Sequence, residues 1–201
     1  MLRKANLAVL VSGDGTNLEH LLLAQERGEL PHGKIAVVIS SSADAYALKR
    51  AANHSVPKFA VSRKGSTQEA FEAALTQKLE EYRVDGIVLA GFLSILSADF
   101  VRAWPDRILN VHPSLIPSFC GRGFYGLRVH EAALARGVKI TGATVHLVNE
   151  APDGGRILLQ KAVSVQAGDT PDTLQKRVME QAEWVLLPRA AEMLCREITG
   201  R

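Results

Sequence analysis

Leu7-Ala8-Val9-Leu10-Val11 runs straight into Ser12-Gly13-Asp14-Gly15-Thr16-Asn17-Leu18. An unbroken apolar run closed by turn formers reads as a strand buried on both faces. Behind the glycine turn, residues 17–27 carry Leu18, Leu21, Leu22 and Leu23, and Gly28 stops them, so a helix is expected there. The strand–turn–helix unit then recurs. Residues 35–39 read as a second strand, 45–54 as a helix, 58–61 as a third strand, 66–82 as a long amphipathic helix and 85–90 as a fourth strand. This alternation predicts an α/β fold, Rossmann-like, with a mostly parallel twisted sheet, right-handed crossovers and helices on both faces.

Beyond Gly91 the rhythm loosens. A short helix is expected over 97–104 and a strand over 107–111 that ends in His112. The stretch from Pro113 to Gly126 holds too much proline and glycine for regular structure. A helix returns over 127–136. Two longer strand runs, 140–148 and 157–165, flank Pro152-Asp153-Gly154-Gly155, which reads as a hairpin connection. An amphipathic helix is expected from about Thr173 to the end, kinked by Pro188. With no repeat or linker in view, residues 1–201 are expected to form a single domain.

Composition narrows the function. The chain has 201 residues, 47% hydrophobic and 22% charged, as a globular chain of one domain should. Its net charge of +3 comes from scattered residues, which suits small anionic ligands better than a nucleic-acid platform. No apolar run approaches the roughly 18 residues of a membrane span, and no secretory leader is evident, so a soluble, cytoplasmic protein is expected. Cys120 and Cys195 stand far apart, which argues against a disulfide framework and for a reducing compartment.

Three groups could carry chemistry. The loop Ser12 to Asn17 opens a helix, where backbone amides freed by glycine make an anion site. It is not a Walker loop, and Leu18 stands where a dinucleotide fingerprint needs its third glycine. A monophosphate site and a plain tight turn fit it equally. Asn110 and His112 alternate to one face at the end of a strand, about 6.6 Å apart, where an amide donor and an imidazole could stabilise an oxyanion and move a proton. Asp153 sits in a turn-forming dipeptide; were the fold to bring it to His112, it would fix the ring's tautomer. His112, His130, His146 and Cys120 show no metal-ligand spacing, so no metal is expected.

Taken in order, Ser-Gly-Asp-Gly-Thr-Asn-Leu at 12–18, Ala-Gly-Phe-Leu at 90–93, Ile-Leu-Asn-Val-His-Pro-Ser-Leu-Ile-Pro at 108–117, Gly-Ala-Thr-Val-His at 142–146 and Asp-Gly-Gly at 153–155 resemble the folate-dependent glycinamide ribonucleotide formyltransferase family of purine synthesis. The resemblance extends over essentially the whole chain. It implies a single formyltransferase domain, with a phosphate-binding half over 1–100 and a catalytic, folate-binding half over 101–201. It implies Asn110, His112 and Asp153 as the catalytic trio, and 10-formyltetrahydrofolate as cosubstrate with no metal. Gly13, Gly15, Thr16, Asn17 and Glu183 would bind 5-phosphoribosylglycinamide. Leu93, Ile95 and Leu96, with Asn110 and Asp153, would line the pterin pocket. A monomer or homodimer with no nucleic-acid or membrane partner is implied.

The chain departs from that family in places. Ser94 and Gln68 stand where the family carries cations, and Arg63, Lys64, Arg122 or Arg128 could compensate. The loop over 119–129 is about five residues longer than the family form. Glu183 lies five before Pro188 as the substrate-binding glutamate should, but its spacing from Arg177 is one residue too long, which leaves Glu180 as the alternative. Asp14 is unfavourable beside a phosphate unless its side chain turns away. A formyl-folate hydrolase relative normally carries an extra N-terminal domain, for which a first strand at about Leu7 leaves no room. A methionyl-tRNA formyltransferase carries a further RNA-binding domain. A non-catalytic folate- or phosphate-binding module would not need the His–Asp pair.

Overall fold

The computed structural model describes residues 3–200. In chain order it contains β1 (Ala5–Val11), α1 (Thr16–Glu26), β2 (Gly33–Ser40), α2 (Ala47–Asn53), β3 (Lys58–Ala60), α3 (Gln68–Glu81), β4 (Gly86–Leu89), α4 (Ala98–Arg102) and β5 (Ile108–His112). Then come α5 (Leu127–Arg136), β6 (Ile140–Leu147), β7 (Ile157–Ser164), α6 (Pro171–Val178), a π-helical turn (Met179–Glu183) and α7 (Trp184–Thr199).

All seven strands form one sheet in the order β3-β2-β1-β4-β5-β6-β7. The first five are parallel; β6 runs antiparallel to β5, and β7 antiparallel to β6. The mostly parallel α/β fold expected from the alternating pattern is therefore present. Side-chain alternation on β1 explains the two helical layers. Leu7, Val9 and Val11 pack with Leu18, Leu21, Ala190 and Leu194 on one face, whereas Ala8 and Leu10 pack with Phe71, Leu75, Leu79 and Phe100 on the other. Burying each large side chain of this kind contributes about 1.5–3 kcal/mol. Helix starts follow local chemistry: the Thr67 side chain accepts from Ala70 N at α3, and Ser97 from Phe100 N at α4.

The antiparallel β6 and β7 are joined by residues 148–156, the hairpin connection expected around Pro152-Asp153-Gly154-Gly155, and in it Asp153 accepts from Gly121 N. Two details differ from expectation. The last helical region starts at Pro171, capped by Thr170, rather than near Thr173. Its irregularity lies in the π turn at Met179–Glu183; Pro188 is inside α7, which continues to Thr199. The two chain halves share the one sheet through the β4–β5 pairing. No helix among the described residues is long and apolar enough to cross a membrane.

At β1 the strand order changes direction, with β2 on one side and β4 on the other. Ligands of open α/β sheets bind at the carboxyl ends of strands flanking such a point. Here Ser12 ties those ends together. Its N–H donates to Gly91 O (3.1 Å), its hydroxyl lies 2.7 Å from that of Ser41 and accepts from Leu93 N (2.8 Å).

Candidate active site

A cavity of about 880 Å³ opens at this carboxyl edge, within the usual size of small-molecule sites. Its walls come from both ends of the chain. On one side stand Thr16 and Asn17 of α1, facing Gln175, Met179 and Glu183; in the centre are Asn110, His112, His146 and Asp153; beyond them are Phe92 to Leu96 and the β6–β7 loop.

The first wall begins with Gly15, which starts α1 at φ 78° without any side-chain cap. A β-carbon on Gly15 would lie 2.6 Å from that of Ala47, so α2 packs where a side chain would be. The first helical amides are consequently open to an anion, and the helix dipole favours one. Gly13 and Gly15 shape this turn from outside the cavity lining; Thr16 and Asn17 line it. Asn17 Nδ2 donates to Glu183 Oε2 (2.7 Å), and Asn17 Oδ1 is buried without a hydrogen-bond partner among the described residues. Burial pushes the Glu183 carboxyl up to about 7, against the opposing hydrogen bond from Asn17. Glu180, by contrast, lies 3.9 Å from Lys176 on the outer side and does not line the cavity. The π turn accounts for the choice: it takes up one residue more than an α-turn, so the extra residue after Arg177 is absorbed and Glu183 still points inward.

The centre is built by strand register. Asn110 and His112 emerge from β5, and β6 sets His146 opposite Asn110 and Thr144 opposite His112. Asn110 Nδ2 lies 3.1 Å from His146 Nε2 and 3.4 Å from Asp153 Oδ1. His146 Nδ1 donates to Leu147 O (2.9 Å), and its Nε2 also faces Asp153 Oδ1 at 3.5 Å. His112 Nε2 donates to Phe119 O (2.8 Å), and its Nδ1 faces Asp153 Oδ2 at 3.6 Å. Gly121 N donates to Asp153 Oδ2 (2.8 Å). Burial alone would raise the Asp153 carboxyl; His146, His112 and the Gly121 amide together outweigh it and hold it below the ordinary carboxylate range. Asp153 adopts φ 56°, a left-handed conformation that Asp tolerates, and this turns its carboxylate to the histidines.

The long loop is pinned from below. Thr144 Oγ1 donates to Ser114 O (2.7 Å) and accepts from Ile116 N (3.1 Å) and Gln160 Nε2 (3.0 Å). Behind the centre, His130 of α5 is fully buried with neither ring nitrogen hydrogen-bonded among the described residues, and burial, then the charge of His112, pushes it down to about 4. His112, His130, His146 and Cys120 do not assemble a metal-binding cluster among the described residues.

At the far end Leu93 and Ile95 expose apolar side chains at the cavity mouth, with Leu96 beside them. Glu72 of α3 straps this segment: its carboxylate accepts from Ser97 N, Ser97 Oγ and Gln68 Nε2, each at 2.6 Å. Gln68 also donates to Ile95 O (3.0 Å), so its amide joins the strap. Of Arg63, Lys64, Arg122 and Arg128, only Arg122 lines the cavity.

Asn110, His112 and Asp153 are thus brought together, as are Thr16, Asn17 and Glu183. His146, weighed in the sequence only as a metal ligand and as the end of the 142–146 motif, joins this cluster. Its signal was the alternation of Thr144 and His146 on a strand, which has meaning only once β6 pairs with β5.

Residues 5–190 match the formyl transferase family model, and the chain belongs to that family. Within it the chain falls with the phosphoribosylglycinamide formyltransferases. The one from Haemophilus influenzae is 40% identical over 183 residues, covering 90% of this chain and 83% of that protein. Glycinamide ribonucleotide transformylase 1 from Symbiobacterium toebii superposes with a TM-score of 0.89 at 39% identity, over 96% of this chain and 89% of that one. The trifunctional purine biosynthetic protein adenosine-3 of Bos taurus is 42% identical over 194 residues, 96% of this chain; the chain spans only 18% of that relative's length.

Proposed function

We propose that this chain transfers the formyl group of 10-formyltetrahydrofolate to the amine of 5-phosphoribosylglycinamide, a step of purine synthesis. One observation carries the reading: a single cavity runs from an uncapped helix N-terminus, past an Asn–His–Asp cluster, to an exposed apolar loop. Gly13 and Gly15 shape the turn, the amides of α1 with Thr16 and Asn17 take the phosphate, and Glu183 with Asn17 takes the sugar. Leu93, Ile95 and Leu96, with Asn110 and Asp153, hold the pterin, and Arg122 is the candidate cation for the carboxylates of the folate tail.

In this reading the substrate amine attacks the formyl carbon, and negative charge develops on the formyl oxygen. Asn110 and protonated His112 stabilise that charge, each exchanging a present partner for the substrate. Asp153 holds His112 and takes part in proton transfer. Its 3.6 Å separation from Nδ1 exceeds a hydrogen bond, as is common before substrate closes such a site. The carbon–nitrogen bond to the folate then breaks and the proton passes to the leaving nitrogen. The chain would act in a reducing cytoplasm, where Cys120 and Cys195 stay as thiols. It would do so as a monomer or homodimer.

The test is an absorbance assay for loss of formyl from 10-formyltetrahydrofolate, with and without 5-phosphoribosylglycinamide. Turnover that requires the amine supports the transferase. Equal turnover without it indicates hydrolysis, and no turnover with binding retained indicates a non-catalytic module.

A further inference from the structure

Three successive residues of the loop before α1 are held by one turn of α2. Gly13 O accepts from Ala47 N (3.1 Å), Gly15 packs directly on Ala47, and Asp14 is gripped twice by Arg50. Arg50 Nε donates to Asp14 O (2.9 Å) and Nη2 to Asp14 Oδ2 (3.0 Å), while Nη1 reaches Glu19 Oε2 in the first turn of α1 (3.2 Å). The guanidinium lies 5.0 Å from the Tyr46 ring centroid, which fixes its plane. Arg50 thereby gathers both carboxylates that flank the start of α1. Acids there stabilise a helix by opposing its dipole, but they also repel any anion that binds the same amides. A cation that engages both removes the conflict. Asn17, whose buried Oδ1 has no hydrogen-bond partner among the described residues, and buried Glu183 mark the ligand side of the same helix start.

We propose that Arg50 is a positioning residue for phosphate binding: by pairing with Asp14 and Glu19 it turns the Asp14 carboxylate away and cancels its charge, leaving the α1 amides free for the substrate's phosphate. This rests on the phosphoribosyl reading of the cavity. Arg50 does not touch the ligand; it sets the field and shape of the loop that does.

The test is a double-mutant cycle over Arg50→Ala and Asp14→Asn. It reads the Kd of ribose 5-phosphate by calorimetry and the KM and kcat for 5-phosphoribosylglycinamide at low salt. Arg50→Ala is expected to raise Kd and KM about tenfold and to leave kcat within about threefold, because the effect acts on ground-state binding. The tenfold loss should shrink as salt is added. Asp14→Asn in the Arg50→Ala background should return Kd to within about threefold of wild type, a rescue that no purely structural role of Arg50 supplies. Asp14→Asn alone removes one of the two carboxylates beside the helix start while Arg50 stays paired with Glu19, and should tighten phosphate binding about threefold. Should Arg50→Ala fail to fold, Asp14→Asn by itself, through the tightening expected of it, still decides the matter. Unchanged affinity in Arg50→Ala, or no recovery in the double variant, or no tightening in Asp14→Asn, overturns the inference. Wild-type protein that binds ribose 5-phosphate but shows no amine-dependent turnover overturns the transferase and leaves the Arg50 cycle readable. Wild-type protein that binds no phosphoribosyl ligand overturns both.

Discussion

At the scale of single residues, His112 is 4% exposed and has each ring nitrogen turned to an oxygen, the Phe119 carbonyl on one side and the Asp153 carboxylate on the other. A group so placed acts on charge that develops during reaction, not on ground-state binding. His112→Ala is therefore expected to lower kcat by about 10²–10⁴ with KM for the phosphoribosyl substrate little changed, measured by steady-state kinetics. Asp153→Asn keeps the shape but removes the charge that faces both histidines. Because the Asp153 carboxyl is held below its ordinary value, the wild type should keep the carboxylate ionised well into the acid range. The pH–rate profile of Asp153→Asn should lose the acid limb that belongs to this group, and an unaltered profile would return Asp153 to a turn residue. Asn110 and His112 were legible as a pair on one face of a strand end. Their approach to Asp153 was not, since the 40 residues between His112 and Asp153 include a helix, a strand and two irregular loops.

Among the elements, the loop-to-helix unit of β1 and α1 shows how little tolerance the site has. Gly15 has φ 78° and contacts Ala47 where a side chain would be. Gly15→Ala should cost about 2 kcal/mol or more in a denaturant titration and raise KM for the phosphoribosyl substrate, through strain at positive φ and displacement of α2. A stability within error of wild type would show that α2 yields freely. The C-terminal helices show what local patterning hides. Thr170-Pro171, a cap followed by proline at the first helical position, is a readable start that lies two residues before the expected one at Thr173. The π turn is different, since its five residues have ordinary helical composition. It forms because Trp184, stacked on His20 at 4.0 Å, and Glu183, bonded to Asn17, must both meet α1.

For the whole molecule, His130 links the fold to pH. Its folded value of about 4 lies below the ordinary 6.5, so between those limits the unfolded chain binds more protons than the folded one. Stability is thus undiminished by this group above pH 6.5 and falls as pH drops toward 4, by up to about 3 kcal/mol. Chemical denaturation of wild type and His130→Leu at pH 7, 5.5 and 4 should show the variant losing less; a difference that does not vary with pH would mean that His130 takes up its proton as readily in the fold as in the unfolded chain. His54, raised by Glu26 against its burial and by Glu19, works in the opposite sense, and the comparison with the variant cancels it.

The alternation of apolar runs and helical periods settled the α/β class, the strand sequence and the glycine turn at residues 12–15, because each depends on residues close along the chain. Strand alternation likewise put Asn110 and His112 on one face. Only the tertiary structure decided that β6 enters antiparallel beside β5 to bring His146 to Asn110, that Asp153 reaches His112, that Glu183 rather than Glu180 lines the cavity, and that Asp14 turns to Arg50. Those contacts join residues tens of positions apart. Register, burial and charge pairing select them only after the sheet has closed, so no local pattern encodes them.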